Sequence, residues 1–182
     1  MQVKEIIKLA CSFTENEELV SDIEWNRLSA DEMIVVDCLM NCFNLICDEI
    51  ATDYVPCVKT QTFNTSSFKI YLNQFDKNVY KIISVKDSKG RNIKYKIVDD
   101  YIMVLADKVD VTYSYHPDKL NINSSFTSMI PERVYAYGIA REYYFMQTLF
   151  SDAETWESRF KNSLQVLTKK EGNVIMPGRS WI

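Results

Sequence analysis

The chain has 182 residues, 47% of them hydrophobic and 13% aromatic with 11 tyrosines, which is ample for one ordinary core and excludes a disordered chain. Its net charge of −4 is uneven: residues 1–60 hold 4 Lys and Arg against 12 Asp and Glu, a balance of −8, and residues 61–182 hold 17 against 13. An N-terminal third this acidic is unsuited to gripping phosphates, because nucleic-acid affinity rests largely on Lys and Arg.

The first residues, MQVKEIIKLACSF, break their apolar run with Lys4 and Glu5, and no later stretch reaches the ~18 apolar residues of a membrane span. Neither secretion nor membrane insertion is expected, and a cytosolic setting is. Cysteines 11, 38, 42, 47 and 57 make an odd count, which favours reduced thiols used as small core hydrophobes over a disulfide framework.

Residues 3–12 read as a short amphipathic helix with Val3, Ile6, Ile7 and Ala10 on one stripe. Residues 14–28 are acidic and mixed, a loop with a short helical turn. A capping box, SADE at 29–32, then announces the best helix of the first half: the Ser29 hydroxyl can accept from a first-turn N–H while Glu32 reaches back. Met33, Val36, Met40, Phe43, Cys47 and Ile50 form one stripe of that helix, and Val35, Cys38, Cys42 and Leu45 a second, which predicts burial on two sides.

After Pro56 the period falls to two. Phe68, Ile70 and Leu72, then Ile93, Tyr95 and Ile97, then Val109, Val111, Tyr113 and Tyr115 alternate with polar residues. DSKG at 87–90 suits a tight turn, and Asp99-Asp100 separates two strand-like runs. These signals predict a four-stranded antiparallel meander over 79–115, with further strands before it.

Helical spacing returns at Pro131, a residue suited to a first turn. Ala136, Ile139, Ala140, Tyr143, Met146 and Phe150 are expected on a core face whose small residues admit a neighbouring helix. Tyr137, Arg141 and Tyr144 are expected on the other side, as a subunit interface, where Tyr and Arg are enriched, or as plain core. A second capping box, SDAE at 151–154, is expected to start the last helix, carried by Trp156, Phe160, Leu164 and Leu167 and stopped by Gly172. The remaining GNVIMPGRSWI ends on Arg179, Trp181 and Ile182, residue types that anchor interfaces, and the alternative is that Trp181 folds back to cover its own bundle.

The expected fold class is therefore α+β: a helical bundle from both chain ends with an inserted antiparallel β-sheet and an extended C-terminal tail. One domain is expected, its helical part at 1–55 and 128–171, its β insertion at about 57–117 and its arm at 173–182. Residues 159–182 hold 5 basic residues against 1 acidic, so a basic end and an acidic beginning can complement each other between neighbouring copies.

No reaction chemistry announces itself. Cys38, Cys42 and Cys47 lack a nearby histidine and sit among apolar residues, so no metal site is expected, and no cofactor fingerprint is present. The single histidine, His116, has no nucleophile-elbow motif beside it and reads as a surface or loop residue. The aromatic run VYAYGIAREYYF is better explained by helical packing than by base stacking.

In order and texture the chain resembles the tailed-phage head–tail connector proteins, also called adaptor or head-completion proteins, of the tail tubular protein A type. The resemblance runs from about residue 29 onward, through NCFNLICDEIATDYVPC, VDVTYSYHP, ERVYAYGIAREYYF, AETWESRFKNSL and PGRSWI; residues 14–27 have no clear counterpart. It implies a noncatalytic virion protein that forms a ring, commonly a dodecamer, beneath the portal. Such a ring extends the channel for double-stranded DNA without reading its sequence, and offers a platform to a downstream tail protein. It also implies portal docking by the C-terminal segment, here Met176, Pro177, Arg179, Trp181 and Ile182, and a location at the head–tail junction after assembly in the host cytoplasm. The alternatives are a head-closure stopper or tail-end protein, or a small regulatory or ligand-binding module.

Overall fold

A computed structural model describes residues 1–25, 27–65 and 67–169. The chain is a mixed α+β protein that divides into two compact units, Met1–Cys47 with Lys119–Ile182 and Asp48–Asp118. The expected arm at 173–182, with Met176, Pro177, Arg179, Trp181 and Ile182, and the stop at Gly172 lie outside the described residues.

The first unit is helical. Its α1 (Val3–Phe13) buries Val3, Ile6, Ile7, Ala10 and Cys11 completely, so the stripe read from the sequence is the stripe that packs. Met1 and Val3 are stitched by backbone hydrogen bonds to Ser124 and Phe126, which ties the start of α1 to the segment leading into α4 (Glu132–Met146). A short α2 (Leu19–Trp25) packs beside α1. The capping box forms at α3 (Ala30–Glu49): Glu32 N–H donates to Ser29 Oγ at 3.4 Å, and Ser29 N–H to Glu32 Oε2 at 2.6 Å.

Burial on two sides of α3 does not occur. Val36, Leu39, Cys42, Phe43 and Ile46 lie on one contiguous face and are buried, whereas Met33, Ile34 and Leu45 are exposed. One stripe of a straight helix meets one neighbouring layer, and here that layer contains Tyr135 and Phe126, with ring centroids 6.0 and 5.9 Å from Phe43. Gly138 of α4 sits directly against Ile46, close enough that a β-carbon would fall 2.8 Å from Ile46 Cγ2. On its other flanks α4 packs against α1 and α5 (Phe150–Lys169), the latter buried through Ala153, Phe160 and Leu164.

The second unit takes the last two residues of α3 and a π-helical turn (Ile50–Tyr54), then carries the strands. They are β1 (Cys57–Asn64), β2 (Lys69–Tyr71), β3 (Val79–Asp87), β4 (Tyr95–Val98), β5 (Tyr101–Val104) and β6 (Lys108–Tyr115). The expected turns are in place: Gly90 has φ +76°, and the Asp87 carboxylate accepts from Lys89 N–H, Arg91 N–H and the Arg91 guanidinium.

The four strands over 79–115 do not form a meander. They are divided between two three-stranded antiparallel sheets, ordered β1-β6-β3 and β2-β5-β4. A single flat sheet would leave an apolar face bare, whereas two sheets cover each other. Ile70, Ile102 and Val104 from the smaller sheet share one core with Ile82, Val85, Val109, Val111 and Tyr113 from the larger. Register shifts between Val79/Lys81 and Ile82/Ser84 let Ile82 and Val85, three apart, both face inward, while Tyr80 and Ile83 turn out to solvent.

Candidate interaction surface

The corner between α4 and α5 gathers four exposed large apolar side chains within six positions of the chain. Helix α4 ends at Met146, Leu149 N–H donates back to Tyr144 O at 2.9 Å, and Thr148 takes φ +61°. A β-branched residue in the left-handed region is rare, so the surrounding hydrogen bonds must hold this tight reversal in place. Ala153 N–H donates to Leu149 O, so α5 starts at Phe150, ahead of the expected capping box, and Ser151 is already inside the first turn.

Chain reversal this early turns apolar side chains outward. Phe145, Met146, Leu149 and Phe150 are 59%, 55%, 48% and 56% exposed. This corrects the expectation that Met146 and Phe150 continue the core face of α4: Met146 stands at the exposed end of that helix, and Phe150 follows the reversal, where the repeat of α4 no longer applies. Phe145 and Phe150 meet edge to face at 5.5 Å and form one wall of a groove of about 370 Å³, floored by Ala153 and rimmed by Arg141, Glu142, Glu154 and Glu157.

Tyr137, Arg141 and Tyr144 fill seams within the unit, as the core reading of this stripe expects. The Tyr137 ring lies 5.4 Å from Phe13 and 5.6 Å from Trp156, and Phe13 itself stacks on Trp156 at 4.8 Å. Tyr144 is buried and donates its hydroxyl to Phe13 O at 3.1 Å, while Tyr143, expected on the core side, is only half-buried. Tyr and Arg serve helix seams for the reason that they serve interfaces: large area with a polar end to satisfy.

Arg141 is the electrostatic centre of that seam. Its guanidinium donates to Glu157 Oε2 at 2.8 Å and to Glu142, and lies 5.0 Å from the centroid of Phe160. Partial burial pushes the Glu157 carboxyl upward, but hydrogen bonds from Lys161 and Arg141 outweigh it and hold the group below the usual range. A depressed carboxylate contributes stability that is complete above its unfolded pKa of about 4.3 and is lost as the pH falls through its lower folded value. Arg141→Gln should therefore lower the urea midpoint at pH 7, by an amount that shrinks as the pH falls through the lowered folded pKa of Glu157. A penalty that stays constant across that range would show that the pair contributes nothing.

The other sequence candidates are dispersed. Burial pushes the Cys42 thiol up to about 12, with Cys38 and Glu142 adding to the shift, and Cys42 Sγ lies 3.7 Å from Met146 Sδ. Among the described residues no three His, Cys, Asp or Glu side chains gather in a way that could hold a metal ion, and no helix is long and apolar enough to cross a membrane. His116 pairs through Nδ1 with Asp48 Oδ1 at 2.6 Å and sits edge-on to Tyr80. That pair ties the end of β6 to the start of the β unit.

The exposed corner was not singled out by its sequence. Its signal is present in the apolar residues that bracket QTL, but only the turn geometry decides which way they point. In comparisons with known proteins, no family model and no curated protein matches the chain.

Proposed function

We propose that this protein is a noncatalytic virion structural subunit, a head–tail connector that assembles as a ring beneath a portal. The observation that carries the reading is the exposed corner of Phe145, Met146, Leu149 and Phe150 on the helical unit. An apolar patch of this kind on a soluble surface is characteristic of an assembly contact. Ring closure requires such a patch to meet a different surface on the next copy, a head-to-tail contact.

In this reading the helices from both chain ends build the ring wall, and the segment 173–182 docks on the portal through Met176, Pro177, Arg179, Trp181 and Ile182. Glu15, Glu17, Glu18, Asp31 and Asp37 are exposed on the helical unit. Turned toward a channel, they would repel DNA phosphates and favour passage over binding. The likeness in chain order to connector proteins supports the same class.

The test is coexpression of the full chain with a portal protein from the same genome, followed by copurification, light scattering and electron microscopy. A ring of this protein seated on the portal is expected, and Phe145→Ser with Phe150→Ser should abolish ring formation. Full-length protein that never engages the portal, and stays monomeric at all concentrations, would sink the proposal.

A further inference from the structure

The groove at the α4–α5 corner has an occupant within reach in the chain itself. It combines an aromatic wall, Phe145 and Phe150, with a carboxylate rim on which Glu154 has no cationic partner among the described residues. Residues 172–182, which follow α5, supply the matching chemistry: apolar Val174, Ile175, Met176, Trp181 and Ile182, and a single side-chain charge, the cation of Arg179.

Reach is sufficient. At 1.5 Å per residue, the path along α5 from Lys169 back to Glu154 is about 22 Å. The chain from Lys169 to Trp181 spans up to about 40 Å when extended, which leaves slack for a reversal. Pro177 and Gly178, a pair suited to turns, stand just before the anchor residues. Tethering gives the segment an effective concentration on the order of millimolar, far above that of a second copy in dilute solution.

We propose that in the free subunit this groove is the docking site of the chain's own C-terminal segment, with Trp181 against Phe145 and Phe150 and Arg179 against Glu154. The inference does not rest on the connector reading. It adds a consequence to it: a partner that draws the tail away uncovers an apolar corner, so tail capture and exposure of the corner become one event.

The test is fluorine NMR on the full chain labelled with 5-fluorotryptophan, which gives signals for Trp25, Trp156 and Trp181. Trp181→Phe assigns the third signal. In dilute wild-type protein the Trp181 signal should show no H2O-to-D2O shift, the mark of a ring shielded from solvent. Phe150→Ser should restore that shift, and Trp156, stacked on Phe13 away from the substitution, should stay where it is and report an intact fold. Glu154→Lys should release Trp181 in part, and Glu154→Lys with Arg179→Glu should recapture it. A solvent-exposed Trp181 in the wild type would overturn the proposal, as would shielding that survives Phe150→Ser. Shielding that disappears on dilution would assign the tail to a neighbouring copy's groove and overturn it equally.

Discussion

Gly138→Ala is expected to destabilise the helical unit by roughly 1–2 kcal/mol, although alanine is the better helix former by about 0.8–1.0 kcal/mol. The added β-carbon would meet Ile46 Cγ2 at 2.8 Å and Cγ1 and Cδ1 at 2.9 Å. Ile46 has nowhere to go: it is fully buried, and its β-branch holds χ1 in one rotamer on a helix. Overpacking of this kind costs ~1–3 kcal/mol, more than the propensity gain returns.

Urea unfolding of the full chain measures the effect. The midpoint should fall with little change in slope, since the buried area is nearly unchanged. Pairing Gly138→Ala with Ile46→Ala should show a coupling of about 1 kcal/mol or more, because Ile46→Ala removes all three atoms that the new β-carbon meets, whereas Ile46→Val keeps Cγ1 and Cγ2 and should relieve little. A midpoint at or above that of the parent would mean that α3 and α4 are not in this close contact.

The second large effect belongs to the β unit. Tyr113→Ala should cost about 3–5 kcal/mol, the range for deleting a large buried ring. Tyr113 lies on the central strand of the larger sheet, registered with Lys59 on one side and Ile82 on the other. Its ring is fully buried and meets Phe75 edge to face at 4.8 Å. The hydroxyl donates to Gln61 Oε1 at 3.3 Å, and that same oxygen also accepts from Asp76 N–H at 3.0 Å.

Tyr113→Phe should therefore cost only about 0.5–1.5 kcal/mol, since the ring remains and Gln61 keeps a donor. Hydrogen exchange of amides in β1, β3 and β6 reads the result. Protection should collapse in the alanine variant and persist in the phenylalanine variant. Near-equal losses in the two would mean that the hydroxyl, not the ring, holds the sheet.

Much of the local structure is legible in the sequence. The stripe of α1, the Ser29–Glu32 box and the Asp87–Gly90 turn all depend on residues within a few positions of one another. Period-two alternation likewise marks β6, because it reflects which side chains share a face, but Phe68, Leu72 and Ile93 lie outside the strands and Tyr95 and Ile97 are exposed on β4. The candidate surface was less legible. Phe145 and Phe150 carry no local mark that distinguishes an exposed aromatic pair from a core one, and Tyr137, Arg141 and Tyr144 have the composition of an interface while filling an internal seam.

Capping, turn conformation and helical periodicity are short-range physics, so the chain shows locally how its turns form and which residues are apolar together, and places most element starts to within a residue or two. Tertiary structure alone decided which stripe of α3 is buried, that β6 takes β1 and β3 as partners, and that the α4–α5 reversal turns apolar side chains outward. Each of these depends on groups far apart in the chain competing for the same apolar area, and the winner is set by how much surface the alternatives cover.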